Sequence, residues 1–434
     1  MKQINFNKRK YSFGIWTAGS LLFLLSLAIL SCSELPTGQT PTDSEPPSPL
    51  SNVSVTPTHG GAHITYSLPV EDDISYVKCE FTYAGVSRTA RSSIYKNYME
   101  LDGIGEPEEI ELRLYVVDHS ENLSEVHIER FTPLDPPMTA VYNSFEIVPT
   151  YGGVVVTWKN PAEAMVGISF MASNDYGELE LRDMVFSSLP EDSKKLRPFN
   201  TRTRLFALSI TDKYENTSDT FRIEVKPFYE VMLDKDKFST PELAGDNTSV
   251  NDNRPIQKIW DGVLDDPDKY HGWHTDAAAG YTIPQYFTIN LGTTAHLTHI
   301  TIFERGEIYP FAQHNLRLFD IYGWPDEELP RERTDAAYYD NATEWTKDWT
   351  LLAACEVIKP SGMPPGTNTP EDLAAHNAGF DYDLRQDVAP MRYIRFVVHD
   401  TWAHTPAMHM AELSVYGDDG NETETDKSLE DEKN

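Results

Sequence analysis

Val53-Ser-Val-Thr-Pro57-Thr-His-Gly60-Gly61-Ala-His-Ile64-Thr65-Tyr66-Ser-Leu-Pro69 recurs downstream as Phe145-Glu-Ile-Val-Pro149-Thr-Tyr-Gly152-Gly153-Val-Val-Val156-Thr157-Trp158-Lys-Asn-Pro161, 92 residues later. A second pair of blocks agrees. Asp118-His-Ser-Glu121-Asn122-Leu-Ser124 is answered by Asp212-Lys-Tyr-Glu215-Asn216-Thr-Ser218, at an offset of 94. Two matched blocks at nearly one spacing predict tandem domains. Within each copy, short alternating strands are joined by Gly, Pro, Asn and Asp turns, which is the pattern of a β-sandwich with an inward Tyr66 or Trp158 at its centre.

Working outward to the N-terminus, Lys2, Lys8, Arg9 and Lys10 precede a mostly apolar run over residues 15–30 that ends in Leu30-Ser31-Cys32. A basic n-region and an apolar h-region of this length predict a signal peptide over 1–31, too short for a comfortable membrane span. The Ile29-Leu30-Ser31-Cys32 junction resembles a bacterial lipobox, which implies lipidation of Cys32; a plain secretory signal with an incidental cysteine is the alternative. Residues 32–49, with Pro36, Pro41, Pro46, Pro47 and Pro49, predict an extended tether. The other two thiols, Cys79 and Cys355, alternate with apolar neighbours and are expected inside strands.

The chain has 434 residues and a formal net charge of −32. That balance argues against nucleic acid or an anionic bilayer as partner, since both require a basic face. Membrane attachment therefore falls to the lipid. With 3 Cys, a disulfide framework is excluded.

The two repeats are assigned to residues 50–135 and 138–234. Their Leu114-Tyr115-Val-Val-Asp118 stretch and the turn after it resemble fibronectin type III domains, and any immunoglobulin-like sandwich is compatible. Such modules are expected to act as spacers. Residues 239–417 differ: six of the eight Trp lie there, and strands alternate at Phe287–Leu291, Ile300–Phe303, Leu316–Leu318, Ile394–Val398 and Leu413–Val415. A third, larger all-β sandwich or barrel follows. The last segment, 418–434, is rich in acids and is expected to be disordered.

Ordered landmarks in this third segment carry a further resemblance: Ile259-Trp260-Asp261-Gly262, Gly272-Trp273-His274-Thr275, Pro284-Gln285 through Leu291-Gly292, Arg392-Tyr-Ile-Arg395-Phe396, and Ala411-Glu412-Leu413-Ser-Val415-Tyr416-Gly417. They resemble the discoidin, or coagulation-factor type C, domain of carbohydrate-binding modules. The expected fold class is thus all-β, with two fibronectin-III-like sandwiches followed by a discoidin-like sandwich. The combination looks like bacterial surface lipoproteins that accompany glycan-uptake systems, which implies an outer-membrane location, an oligosaccharide or polysaccharide ligand, and partner proteins of an uptake complex.

Sugars present apolar C–H faces and hydroxyl edges, so a binder needs aromatic platforms and planar or charged hydrogen-bonding groups. In the discoidin fold, the loops of one end would gather Trp273 and His274, Arg305, Tyr309 and His314, and Asp400, Trp402 and His404. Trp273, Tyr309 and Trp402 are the candidate platforms, with Trp402 foremost; Trp273 can equally be a core residue. The resemblance also implies a structural calcium ion, held by Asp261 and Asp266 with Glu412, since hard cations take carboxylate and carbonyl oxygens. His399, His404 and His409 lack a zinc-protease helix motif and read as surface imidazoles. No G-x-S-x-G, H-E-x-x-H, Walker or G-x-G-x-x-G motif is present, so a binder rather than an enzyme is expected. A second reading makes the third domain an adhesin or assembly subunit that grips protein through a flat patch of Trp324, Trp345 and Trp349.

Overall fold

The structure, a computed structural model, describes residues 43–264, 272–306 and 309–422. The signal peptide, Cys32, most of the tether, Asp266 and most of the acidic tail lie outside the described residues. The chain is all-β and antiparallel, and it divides into two compact units, 1–139 and 140–434. Among the described residues no helix is long and apolar enough to cross a membrane.

In the first unit, Gly61–Ser67 lies between Ser51–Thr58 and Tyr98–Leu101 in a three-stranded sheet. It packs with a four-stranded sheet in the order Val86–Ser93, Ile74–Tyr83, Ile110–Asp118, His127–Phe131. The second repeat builds the same pair: Glu191–Leu196, Gly153–Lys159, Glu146–Thr150 in one sheet, and Leu179–Ser187, Val166–Ser173, Arg204–Asp212, Phe221–Val225 in the other. Tyr66 and Trp158 are buried at matching places. So are Cys79 and Cys355, whose thiols burial pushes up to about 12.

The repeated motifs have a mechanical reason. Gly60 and Gly152 take φ of +69° and +65°, which an L side chain resists. At the following Gly61 and Gly153, an added Cβ would lie 1.8 and 1.9 Å from the carbonyl oxygens of Leu101 and Leu196. One glycine turns the chain and the next lets the neighbouring strand close on it. In the other block, Asp118 Oδ1 accepts from the amides of Ser120 and Asn122, both at 2.8 Å. Asp212 does the same for Tyr214 and Asn216 at 2.8 and 3.0 Å. Each is an Asx-type turn closed by its own carboxylate.

The C-terminal sandwich is organised by one 19-residue strand, Gln285–Phe303. Its first half pairs with Met391–Thr401, which leads on to Leu316–Trp324 and Thr350–Glu356. Its second half pairs with Glu412–Asp418 on one side and Phe380–Asp383 on the other. The register shifts between Asn290 and Ala295, and Gly292 at φ +69° provides the bend. A single strand thus serves both layers, with Phe287, Ile289, Leu291, Ile300, Phe319 and Phe396 in the core between them.

The second repeat and this sandwich are interlocked. Val231–Met232 adds to the edge of Glu412–Asp418. Glu230 is buried against His299, 3.1 Å away, and accepts from the Thr298 hydroxyl. Arg197 (3.0 Å) and Lys195 both bind Asp383. The second sandwich and the C-terminal module are therefore joined by one buried polar contact and by surface ion pairs as well as by chain connectivity.

Candidate functional site

Two loops meet at the end of the C-terminal sandwich. One follows Gln285–Phe303 and leads into Leu316–Trp324; the other follows Met391–Thr401. Asn315, fully buried, clamps the first: it accepts from the Arg305 amide at 3.0 Å and donates to the carbonyls of Arg305 and Tyr309 at 3.2 and 3.0 Å. The second loop is zipped to it through Trp402 N to Asn315 O (3.1 Å), Ala403 N to Gln313 O (2.7 Å) and His409 N to His314 O (2.8 Å). Backbone bonds on both sides of Asn315 fix where the side chains emerge.

Three groups result. Arg305 lays its guanidinium over the Tyr309 ring at 4.1 Å, and both are half-exposed. Beside them, His314 Nδ1 lies 2.9 Å from His274 Nε2, and His274 Nδ1 lies 2.8 Å from Arg254 Nη2. Burial, followed by the nearby guanidinium of Arg254, brings His274 down to about 4; burial and Arg305 lower His314 as well. The third group is Asp400, which accepts from Arg317 (3.2 Å) and lies 2.9 Å from the exposed His404. Arg317 stands 5.8 Å above the Trp402 ring.

Trp402 is half-buried. Its Nε1 donates to Glu304 at 2.9 Å and its ring meets Phe311 edge-on at 5.6 Å. Glu304 also accepts from the Phe311 amide, 3.0 Å away, and burial pushes its carboxyl up to about 8. Trp402 is thus a tied indole with a partly open ring rather than a free loop-tip platform.

Other expectations are corrected. Trp273 is 1% exposed and packs edge-on against Phe287 at 4.8 Å, so it fills the core and offers no face to a ligand. His274 is buried behind His314, with its Nε2 2.9 Å from His314 Nδ1. Trp345 and Trp349 are buried in a second cluster with Tyr286, Tyr339 and Tyr393, so the flat aromatic patch of the adhesin reading is not on the surface. Arg254, Asn315, Arg317 and Phe311 were not among the sequence candidates. Arginine and asparagine normally read as surface residues, and only the Asn251-Asp252-Asn253 turn before Arg254 marks its position.

Of the implied calcium ligands, Asp266 lies outside the described residues, and the two that are described are already engaged. Glu412 is buried at the start of its strand and accepts from the ammonium of Lys235 and from Gly262 N at 3.3 Å. Asp261 binds Lys258 at 3.1 Å. Both described carboxylates therefore already face a lysine. Glu412 Oε2 has no hydrogen-bond partner among the described residues, and this one oxygen is the free donor they offer toward the roughly 6–8 that calcium takes. A chelator is expected to leave the melting temperature unchanged, whereas Lys235→Met is expected to lower it by exposing Glu412 as an uncompensated buried charge. A drop with chelator alone would restore the ion. In the first unit, Asp43, Asp73 and Asp118 bring carboxylate oxygens within 4.8 Å of one another and could hold a cation. The matching turn at Asp212 closes in the same way, so the turn itself needs no ion.

Comparisons with known proteins find three family models, each described as a domain of unknown function: DUF4959 over residues 47–133, DUF5126 over 134–236 and DUF5000 over 260–417. No curated protein matches. Among solved structures, a SusE-like protein is 26% identical, with 65% of this chain and 99% of that chain covered and a TM-score of 0.38. A family 32 carbohydrate-binding module from C. perfringens NanJ, in complex with galactose, is 15% identical over 43% of this chain and 98% of its own, with a TM-score of 0.29. A two-domain fibronectin type III segment from chicken tenascin is 13% identical over 41% and 99%, with a TM-score of 0.22.

Proposed function

We propose that this chain is a glycan-binding protein, anchored by lipid at Cys32 to the outer membrane at the cell surface and accessory to a bacterial glycan-uptake system, and that it binds sugar at the loop end of its C-terminal sandwich. The observation that carries this reading is Arg305 laid over Tyr309 beside His314, on a loop tied through Asn315 to the one that bears the half-open Trp402 ring. An aromatic flank beside directional donors suits a molecule with C–H faces and hydroxyl edges. The net charge of −32 favours uncharged glycans over anionic polymers. The sandwiches and the tether, in this reading, hold the binding end away from the bilayer.

An array of plant, host and microbial glycans, followed by calorimetric titration of the full chain, tests it. Binding is expected to neutral glycans, and Arg305→Ala or His314→Ala is expected to weaken it about tenfold or more, the loss of roughly 1.4 kcal/mol. Asp387→Asn, on the exposed 385–390 turn, is expected to change nothing. Silence across the whole array would sink the proposal. For the anchor, Cys32→Ala is expected to abolish metabolic incorporation of labelled fatty acid; retained label would overturn it.

A further inference from the structure

We infer that Arg254 sets the tautomers of His274 and His314 in series, so that His314 meets its ligand as a fixed Nε2–H donor. The ligand half of this proposal rests on the glycan-binding reading; the relay itself does not.

Donors and acceptors decide the tautomers. A guanidinium has N–H donors and no acceptor. With Arg254 Nη2 at 2.8 Å, His274 Nδ1 must accept and so carries no proton. The ring proton of His274 is then on Nε2, which donates to His314 Nδ1 at 2.9 Å. That nitrogen must in turn be bare, and the proton of His314 is left on Nε2. Protonating His314 at Nδ1 would place two N–H groups head to head. No other assignment satisfies both contacts.

The surroundings agree. From the 251–254 turn come Arg254 and Asp252, an ion pair at 3.3 Å; from the 303–315 loop comes Arg305; from His409–Met410 comes the His409 ring, 5.5 Å from His274. The two guanidinium groups oppose a charge on either imidazole, and burial acts in the same direction.

Two consequences follow for the site. His314 and Arg305 both donate, so the ligand edge they read must consist of acceptor oxygens. The donor also persists through the range where a free histidine switches, about pH 5 to 8. The same locked Nε2–H keeps His274 from acting as a metal ligand through that nitrogen.

Histidine-selective ¹⁵N labelling of the full chain, with two-bond ¹H–¹⁵N correlation spectra assigned through His274→Gln and His314→Gln, reads the tautomers directly. Both rings are expected as Nε2–H at neutral pH, neither gaining a second proton where a free histidine does. In Arg254→Met an Nδ1–H form is expected to appear on His274 and His314, while burial still holds both rings below the ordinary value, and Arg254→Lys, which keeps a donor, is expected to restore the fixed form. An Nδ1–H signal on either ring of the unmodified chain overturns the relay, and that result does not depend on the variants folding. A folded Arg254→Met chain with unchanged spectra also overturns it. If the tautomers are as stated and the glycan array is silent, the relay stands and the ligand reading falls.

Discussion

Asp246→Asn is expected to destabilise the C-terminal module by roughly 3–5 kcal/mol, because it leaves a buried guanidinium without its counter-charge. Arg395, on Met391–Thr401, is 0% exposed. It sits within 4.6 Å of Trp345, 5.0 Å of Tyr286 and 5.5 Å of Tyr339, measured to ring centroids. Its Nη2 donates to the Tyr339 carbonyl at 3.1 Å and pairs with Asp246 at 3.2 Å. Nε and Nη1 have no hydrogen-bond partner among the described residues, so the aromatic faces and Asp246 compensate most of the charge. Asp246 itself is strained by burial, which raises it to about 6 despite Arg395. Urea unfolding followed by tryptophan fluorescence would show the loss. The double variant Asp246→Asn, Arg395→Met is expected to recover most of it, since an apolar side chain of similar length suits that cage. A single variant within about 0.5 kcal/mol of the parent would mean the pair contributes nothing.

That pair also shows where sequence reading stops. The Gly-Gly and Asp-Glu-Asn blocks were legible because their causes are local: a positive φ, a close carbonyl, a carboxylate closing its own turn. The strands of the C-terminal sandwich were legible because alternation reports one buried face directly. Arg395 also falls inside such an alternation, in Ile394-Arg-Phe396-Val-Val398, and alternation alone would turn it to solvent. A second layer built from Trp345, Tyr339 and Tyr286 covers that face instead, and nothing local to Arg395 signals it. Trp273 and Trp402 show the same limit in the site. Both stand beside histidines and near loops, yet one packs on Phe287 and the other keeps its ring partly open while its Nε1 donates to Glu304. Whether a loop tryptophan is core or platform depends on distant partners, Phe287 in one case and Phe311 with Glu304 in the other. Arg305, Tyr309 and His314 lie within ten residues of one another, and nearness in the chain is enough to set them side by side.

Glu304 is expected to make the C-terminal module lose stability as pH rises toward about 8. Its carboxyl is buried and pushed up to about 8, against roughly 4.3 in an unfolded chain. Between those values the folded state holds a proton that the unfolded state has released. The stabilisation is therefore complete below about 4.3 and is lost as pH climbs through about 8, a change on the order of 5 kcal/mol. Two other groups act elsewhere. Asp246, raised to about 6, finishes its part of the same trend near that pH, and His274, lowered to about 4, costs stability only as pH falls below its ordinary value. The interval from about 6.5 to 8 therefore belongs to Glu304 among these groups. Unfolding midpoints in urea across that interval should fall for the parent chain and stay level for Glu304→Gln. The variant is expected to start lower at acid pH, because the amide can accept from only one of the two donors, Trp402 Nε1 and Phe311 N, and turns an NH₂ toward the other. A parent chain with no slope above about pH 6.5 would mean that those two donors outweigh burial and hold Glu304 ionised at neutral pH.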